Sequence, residues 1–399
     1  MPQQHFFAEH PTDVGLNVDK VQALFDRADR EIKEGILPAC QIAIARNGKI
    51  GAMRTFGHAI QGGVDKPAAD STIFVTMSAT KALTSSALWL LIQEGKVRPE
   101  ELVVKYVPEY GTNGKESTTI EHLLIHTAGI PVAPGGPKDC GDHNRRLERF
   151  AQWRPDHKPG EKFAYHIHAN YWPIAEIIER ITKQDLRDFV RQRISEPLGL
   201  PDLRLGIPPQ DNDRVANLTW VGQPASDEEY KKLGVTPPRA GLGSINEDAV
   251  LEFNDPAVRQ SGFPAGGCIT TAGDLALFYQ ALLNDGKSWD GKKVWEPEMI
   301  REARKIRSGD LKNPLLGVVA NRALGIVIAG GDGKANMRGF GRTNSPEAFG
   351  HPGFGGQIGW ADPGTGISFA YVTNGFDRND LREGRRSVAL SSLAGSCAS

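Results

Sequence analysis

Two β-hairpin signatures stand at opposite ends of this 399-residue chain, and any fold it adopts must reconcile them. The first, QIAIARNGKIGAMRTFGHA, joins two β-prone runs through Asn47-Gly48, a dipeptide whose tolerance of positive φ suits the tight turn between antiparallel strands. The second, QIGWADPGTGISFAYVTN, turns at Asp362-Pro363-Gly364 and follows a further apolar run, LGIVIAGG. Between them the spacing is mainly helical. Apolar positions support helices from Ala79 to Glu94, in WPIAEIIERIT with Pro173 near its first turn, and in DLRDFVRQRI, where Leu186, Phe189, Val190 and Ile194 share a face. An amphipathic helix precedes the first hairpin, with Asn17 as N-cap, Val18, Val21, Leu24, Phe25, Ala28 and Ile32 on one side and Gly35 as the stop, and LREGRRSVALSSLAG predicts a closing helix.

Strands at both ends with helices between them predict an α+β fold: one antiparallel sheet flanked by helices and completed by both termini, plus an inserted, mainly helical lobe. The expected division is residues 1–75 and 262–399 for the sheet-bearing lobe and 76–261 for the helical one. Within the latter, 201–261 is rich in Pro, Gly and Asp and reads as a long, partly irregular excursion. A crevice between the lobes is the natural place for a site.

Composition narrows the chemistry. Lys and Arg total 47 against 48 Asp and Glu with no long run of one sign, so the electrostatic footprint of a nucleic-acid binder is missing. The four cysteines, Cys40, Cys140, Cys268 and Cys397, lie far apart with no CxxC pair and no His at metal-ligand spacing, which reads as isolated reduced thiols. The N-terminal MPQQHFFAEHPTD has no basic region followed by an apolar one, and no apolar run approaches the ~18 residues of a membrane span. A cytoplasmic chain with no membrane partner is expected. HIHANY brings to mind the zinc pattern His-x-His-x-Asp-His, but Asn170 and Tyr171 fill its last two places, so no metal is expected.

Three stretches carry chemistry. TMSATKALTSSALWLLIQEGK places Ser78 and Lys81 three residues apart where an apolar helix begins, hence on one face. A hydroxyl at a helix start meets free N–H groups, and a lysine deprived of water loses proton affinity and can act as a base. A lone Ser-x-x-Lys arises by chance about once in a chain this long, but the β-prone TIFVTM run before Ser78 sets this one apart. PGEKFAYHIHANYWPIAEIIERI puts Tyr165 in a short connection before a helix, where a phenol can share a proton with a lysine; a core tyrosine is the plainer alternative. FGHPGFGGQIGW is a glycine-dense turn entering a strand, along which a ligand can lie and receive a backbone N–H, unless the glycines merely serve a sheet corner.

In this order and spacing the three stretches, with HLLIHTAGI and FPAGGCITTAGDLALF, resemble the serine β-lactamase, penicillin-binding protein and family VIII carboxylesterase superfamily, roughly from Val18 to Asn374. The resemblance implies Ser78 as the acylated nucleophile, Lys81 as its lysine, Tyr165 as the family tyrosine, and His351-Pro352-Gly353 where the family has Lys-Thr-Gly. It also implies an oxyanion hole made by the N–H groups of Ser78 and Phe354. The sequence departs from the family at Ile167, which replaces the Asn of Tyr-x-Asn, and at His351-Pro352. A register shifted by one would place His166 where Tyr165 is set; keeping the phenol favours Tyr165.

With the lysine's charge and the threonine's hydroxyl gone, the expected substrate is an uncharged small-molecule ester, oriented by one donor of a neutral His351. The expected activity is that of a carboxylesterase-type serine hydrolase on short- to medium-chain esters, through an acyl-enzyme and without a cofactor. The alternatives are a β-lactamase, D-aminopeptidase or other amide hydrolase of the superfamily, and a catalytically silent binding member.

Overall fold

The computed structural model describes residues 1–234 and 246–399. Helix α1 (Val18–Lys33) is capped by Asn17, which accepts the Lys20 N–H at 3.0 Å. Strands β1 (Ala39–Arg46) and β2 (Lys49–Gln61) turn through Asn47 at φ 54° and Gly48 at φ 80°, the left-handed pair that a two-residue hairpin requires. After β3 (Val64–Pro67) and β4 (Phe74–Val75) comes α2 (Thr80–Gln93). The middle of the chain adds α3 (Tyr171–Thr182), packed on α2, and the short strands β5 (Arg204–Leu205) and β6 (Thr219–Val221). Then follow β7 (Cys268–Thr270), α4 (Ala272–Leu283), β8 (Val327–Ile328), β9 (Phe349–Gly350), β10 (Ile358–Asp362), β11 (Ile367–Thr373), β12 (Gly375–Asp377) and the closing helix α5 (Asp380–Gly395).

Seven strands form an antiparallel sheet in the order β3-β2-β1-β11-β10-β9-β8. Both ends of the chain therefore meet at its centre, where β1 pairs with β11 from Cys40 opposite Thr373 to Arg46 opposite Ile367. Strand alternation sends Cys40, Ile42, Ile44, Ile367, Phe369 and Tyr371 into the core shared with α1 and α5, and Ala39, Ala43, Ala45, Ala370 and Val372 into the core shared with α4. Small residues on that second face let α4 lie close: a Cβ at Gly359 would stand 2.8 Å from the Tyr279 ring.

Helix α2 is buried around its whole girth from Thr80 to Leu91, as expected of a helix enclosed by protein on every side. The 201–261 segment holds β5, β6 and the short helices Asp227–Leu233, Glu247–Leu251 and Pro256–Ser261; its residues 235–245 lie outside the described residues. All four cysteines are buried and unpaired, and no helix among the described residues is long and apolar enough to cross a membrane.

Helices α1 and α5 cover the outer face of the sheet and are tied together by Arg386, 1% exposed, which bonds Glu31 and reaches Asp377 Oδ2 at 3.5 Å. Removing one member of a buried ion pair leaves the other charge desolvated and costs about 3–5 kcal/mol. Glu31 would keep Arg27 at 2.8 Å, so the lower end applies. Arg386→Met is expected to lower the urea midpoint of unfolding accordingly, and an unchanged midpoint would show that the terminal helices do not depend on this pair.

Candidate active site

The backbone around Ser78 is held by a threonine clamp. Strand β4 pairs with β7, and just beyond it the Thr76 N–H and Oγ1 both donate to the Cys268 carbonyl, at 2.9 and 3.2 Å. The Cys268 N–H returns a bond to Thr80 Oγ1 at 2.9 Å. Between the two threonines Met77 takes φ 46°, a left-handed conformation that residues with a Cβ seldom adopt. Such strain persists where the surroundings over-determine it, and here fixed bonds on both sides do so. The chain turns sharply from strand into the 3-10 turn Met77–Ala79, so Ser78 lies two residues before α2 begins at Thr80, rather than in its first α-turn.

Lys81 is fully buried. Its Nζ lies 3.1 Å from Ser78 Oγ, 2.9 Å from the Ile167 carbonyl and 3.0 Å from the Ala265 carbonyl. Carbonyls only accept, so a neutral amine would give its two N–H groups to them and keep its lone pair for the Ser78 hydroxyl. Burial pulls the Lys81 pKa well below its ordinary value, and the charge of nearby Arg322 pulls it in the same direction. The Ile167 side chain, standing where the family it resembles has an Asn, is not what holds the lysine; the backbone at that position does.

Tyr165 stands with its ring 5.4 Å from Lys81 Nζ and its phenol beside the Ser78 side chain. Burial raises its pKa, while Arg322 and Ser78 take part of that rise back. The ring stacks on buried His126, with centroids 4.6 Å apart and planes at 23°. His166 is committed elsewhere: its Nε2 accepts the Ile130 N–H at 2.8 Å and its Nδ1–H donates to the Ala164 carbonyl at 2.6 Å. Geometry therefore places Tyr165, and not its neighbour, next to Ser78. His126, within HLLIHTAGI, accepts the His166 N–H at 3.0 Å and thereby braces the tyrosine loop, a role no motif spacing announces.

The glycine-dense turn departs from two sequence expectations. His351 has no donor to offer a substrate: its Nδ1 lies 2.7 Å from the Pro352 carbonyl and must be the protonated nitrogen, and its Nε2 then accepts from Arg322 Nη1 at 3.1 Å. Gly353 does not make room for a ligand. A Cβ there would lie 2.3 Å from the Thr76 carbonyl, so its bareness lets this turn press against the segment leading to Ser78. The remaining donors are also spent, with the His351 N–H on Gly359 O at 3.1 Å and the Gly353 N–H on Gln357 O at 2.8 Å. The N–H groups of Ser78 and Phe354 bond to no backbone acceptor among the described residues.

Arg322 is the residue that sequence reasoning missed. It lies two residues before the LGIVIAGG run, outside every motif, yet its guanidinium stands 5.5 Å from the Tyr165 ring and restores a positive charge to a site from which the lysine-to-histidine change had seemed to remove it. A separate surface cleft of about 430 Å³, lined by His143, Arg146, Glu176 and Arg180 among others, contains none of these groups. Its carboxylates are already held by arginines, Glu176 by Arg180 at 2.6 Å and Glu179 by Arg146 at 2.5 Å.

The sheet, the enclosed helix and the serine at its start define the class of serine β-lactamases and penicillin-binding proteins. The chain belongs to the Beta-lactamase family, which it matches over residues 23–394. It is 31% identical over 317 residues to Esterase/beta-lactamase LipL of Mycobacterium tuberculosis, spanning 77% of this chain and 70% of that one. Among solved structures it is similar to a penicillin-binding protein homolog from Caulobacter crescentus, with a TM-score of 0.76 at 26% identity over 95% of this chain and 98% of that one. A family VIII carboxylesterase shares the fold, with a TM-score of 0.75 at 24% identity over 95% and 99% of the two chains. The protein is accordingly a hydrolase of the β-lactamase superfamily.

Gly353→Ala tests the close approach at the turn. The added methyl must push the turn off the Thr76 carbonyl and carry the Phe354 N–H with it. A loss of kcat of about 10²–10³, the usual effect of displacing one oxyanion donor, is expected with a smaller change in KM, and wild-type kcat would show that the contact is irrelevant to turnover.

Proposed function

We propose that this protein hydrolyses uncharged carboxylic esters of short to medium acyl chains through an acyl-enzyme on Ser78. Ser78 Oγ attacks the ester carbonyl while Lys81 Nζ, its lone pair facing that hydroxyl, takes the proton. The tetrahedral oxyanion is received by the N–H groups of Ser78 and Phe354. Tyr165, kept protonated by its raised pKa, gives its proton to the departing alkoxide and regains one from the Lys81 ammonium. Water then attacks the acyl carbonyl, delivers its proton to the same pair, and Ser78 leaves as the hydroxyl.

The observation that carries the preference for esters is the donor count of the turn. His351, Pro352 and Gly353, which stand where the family has Lys-Thr-Gly, have no donor left for a ligand, whereas the Phe354 N–H bonds to no backbone acceptor among the described residues. The Phe354 N–H can join that of Ser78 in receiving an oxyanion, whereas a substrate carboxylate finds no donor at the three positions before it. The resemblance to LipL supports an esterase and, by its printed name, keeps β-lactam hydrolysis as the second reading.

Ser78→Ala is expected to abolish turnover of p-nitrophenyl butyrate while costing about 0.5–2 kcal/mol of stability at most, the scale of one helix-start hydroxyl. Retention of activity within tenfold of wild type would remove Ser78 from the mechanism. In the same assay nitrocefin is expected to have a much lower kcat/KM than the ester, and the reverse order would favour the β-lactamase reading.

The pH profile has a defined sign. Lys81 must be neutral and its pKa is depressed, so kcat/KM falls only as pH drops through that lowered value. Tyr165 must be protonated and its pKa is raised above 10.0, so kcat/KM holds through pH 9 and falls only beyond 10. An alkaline limb near pH 8 that persists in Tyr165→Phe would contradict this assignment of acid and base.

A further inference from the structure

We propose that Arg322 is a positioning residue for the acid–base pair: its guanidinium, wedged against Tyr165 and pinned by His351, is the fixed positive charge under which Lys81 and Tyr165 exchange the proton. This rests on the reaction proposed above.

The geometry is that of a built-in charge. The guanidinium carbon lies 5.5 Å from the ring centroids of both Phe163 and Tyr165, within cation–π range of each. Nη1 donates to His351 Nε2, and the Arg322 N–H donates to Ser308 Oγ at 2.9 Å. Buried Nε has no hydrogen-bond partner among the described residues. No carboxylate among the described residues hydrogen-bonds to it; burial lowers its proton affinity, and Tyr165 and Tyr171 raise it in part. A buried cation without a counter-ion is costly to keep. His351 and Pro352 explain how it is kept: the Pro352 carbonyl fixes the imidazole tautomer, and that tautomer presents a bare nitrogen to Arg322.

The other groups facing the pair are neutral. His126 and His351 have pKa values well below the ordinary histidine range, His166 is pushed down to about 3 and His168 to about 4, all chiefly by burial. Tyr171, 5.3 Å from Lys81 Nζ, is held protonated by a pKa raised chiefly by burial. Arg322 is thus the permanent charge acting on both partners. It opposes a proton on Lys81 and favours loss of one from Tyr165, so it keeps the amine available as the base and stabilises the phenolate that forms when Tyr165 gives its proton away.

The test is the pH dependence of kcat/KM on p-nitrophenyl butyrate for wild type, Arg322→Gln and Arg322→Lys. In the glutamine variant both limbs should move to higher pH by about one to two units, the size expected of one charge several ångströms away in a protein interior. In the lysine variant they should stay near wild type while the plateau falls. Unmoved limbs in Arg322→Gln, or limbs in Arg322→Lys that shift as far as in the glutamine variant, would overturn the proposal. So would a loss confined to KM for an ester carrying a carboxylate, which would make Arg322 a substrate-binding group. If the glutamine variant fails to fold, the lysine variant decides alone: limbs within a few tenths of a pH unit of wild type support the proposal, and limbs moved up by about one unit or more overturn it. Labelling of Ser78 by a fluorophosphonate is measured in parallel: absent labelling in wild type sinks the acyl-enzyme reading, whereas intact labelling with unmoved limbs sinks only the role given to Arg322.

Discussion

The amine of Lys81 is the point on which three distant parts of the chain converge. It touches Ser78 in the 3-10 turn that leads into its own helix, the Ile167 carbonyl in the loop before α3, and the Ala265 carbonyl just ahead of β7. Those carbonyls would otherwise be buried acceptors in want of a donor, and the lysine would be a buried amine in want of partners. Each solves the other's problem, and the arrangement can form only when helix, tyrosine loop and β7 segment are all in place. This answers why a helix enclosed on all sides carries a lysine in its first turn. Its position fixes the loop that bears Tyr165 as firmly as it faces the hydroxyl of Ser78.

A second tier of bonds keeps that convergence exact enough for chemistry. The Thr76 and Thr80 bonds to Cys268 hold the strained Met77 turn, and the bare α-carbon of Gly353 lets the neighbouring turn rest on the Thr76 carbonyl. His126 stacks under the tyrosine while its ring nitrogen takes the His166 N–H. None of these groups needs to touch a substrate. They hold the reacting groups in register, and in the proposed reaction small misplacement of those groups is what the rate would feel.

Local patterns made the scaffold legible, while long-range geometry hid half of the site. Asn47-Gly48 and Asp362-Pro363-Gly364 could be read as hairpins because a turn of positive or proline-fixed φ is decided by the residues within it. Ser78 and Lys81 could be paired because i and i+3 share a helix face whatever the rest of the chain does. Arg322 offered no such signal: it is 241 residues from Lys81 in sequence, and only the folded sheet brings it over Tyr165. The reading of His351 failed for a related reason. Residue type says that a neutral imidazole has one donor, but its tautomer is set by which partner lies at each nitrogen, and here Pro352 and Arg322 claim both. Gly353 likewise revealed its freedom but not what fills the space.

Taken together, these bonds leave the site with an unusual charge balance. Lys81 is driven toward neutrality, its neighbouring histidines are neutral, Arg322 is positive, and no carboxylate among the described residues hydrogen-bonds to Arg322 or Lys81. The resting site therefore carries a positive charge for which the described residues supply no hydrogen-bonded counter-ion. A neutral ester entering it brings none either. In the proposed reaction, negative charge first appears on the oxyanion when Ser78 attacks, and then on the phenol as it protonates the departing alkoxide. An interaction absent from the bound substrate and present in the transition state lowers the barrier instead of merely tightening binding. A carboxylate-bearing substrate would forfeit that advantage if its charge reached Arg322 in the ground state, because the attraction would then be spent before the reaction began. The turn that withholds its N–H groups and the histidine that covers one side of the arginine work in the same direction: both keep the positive charge in reserve for the moment at which the substrate itself becomes negative.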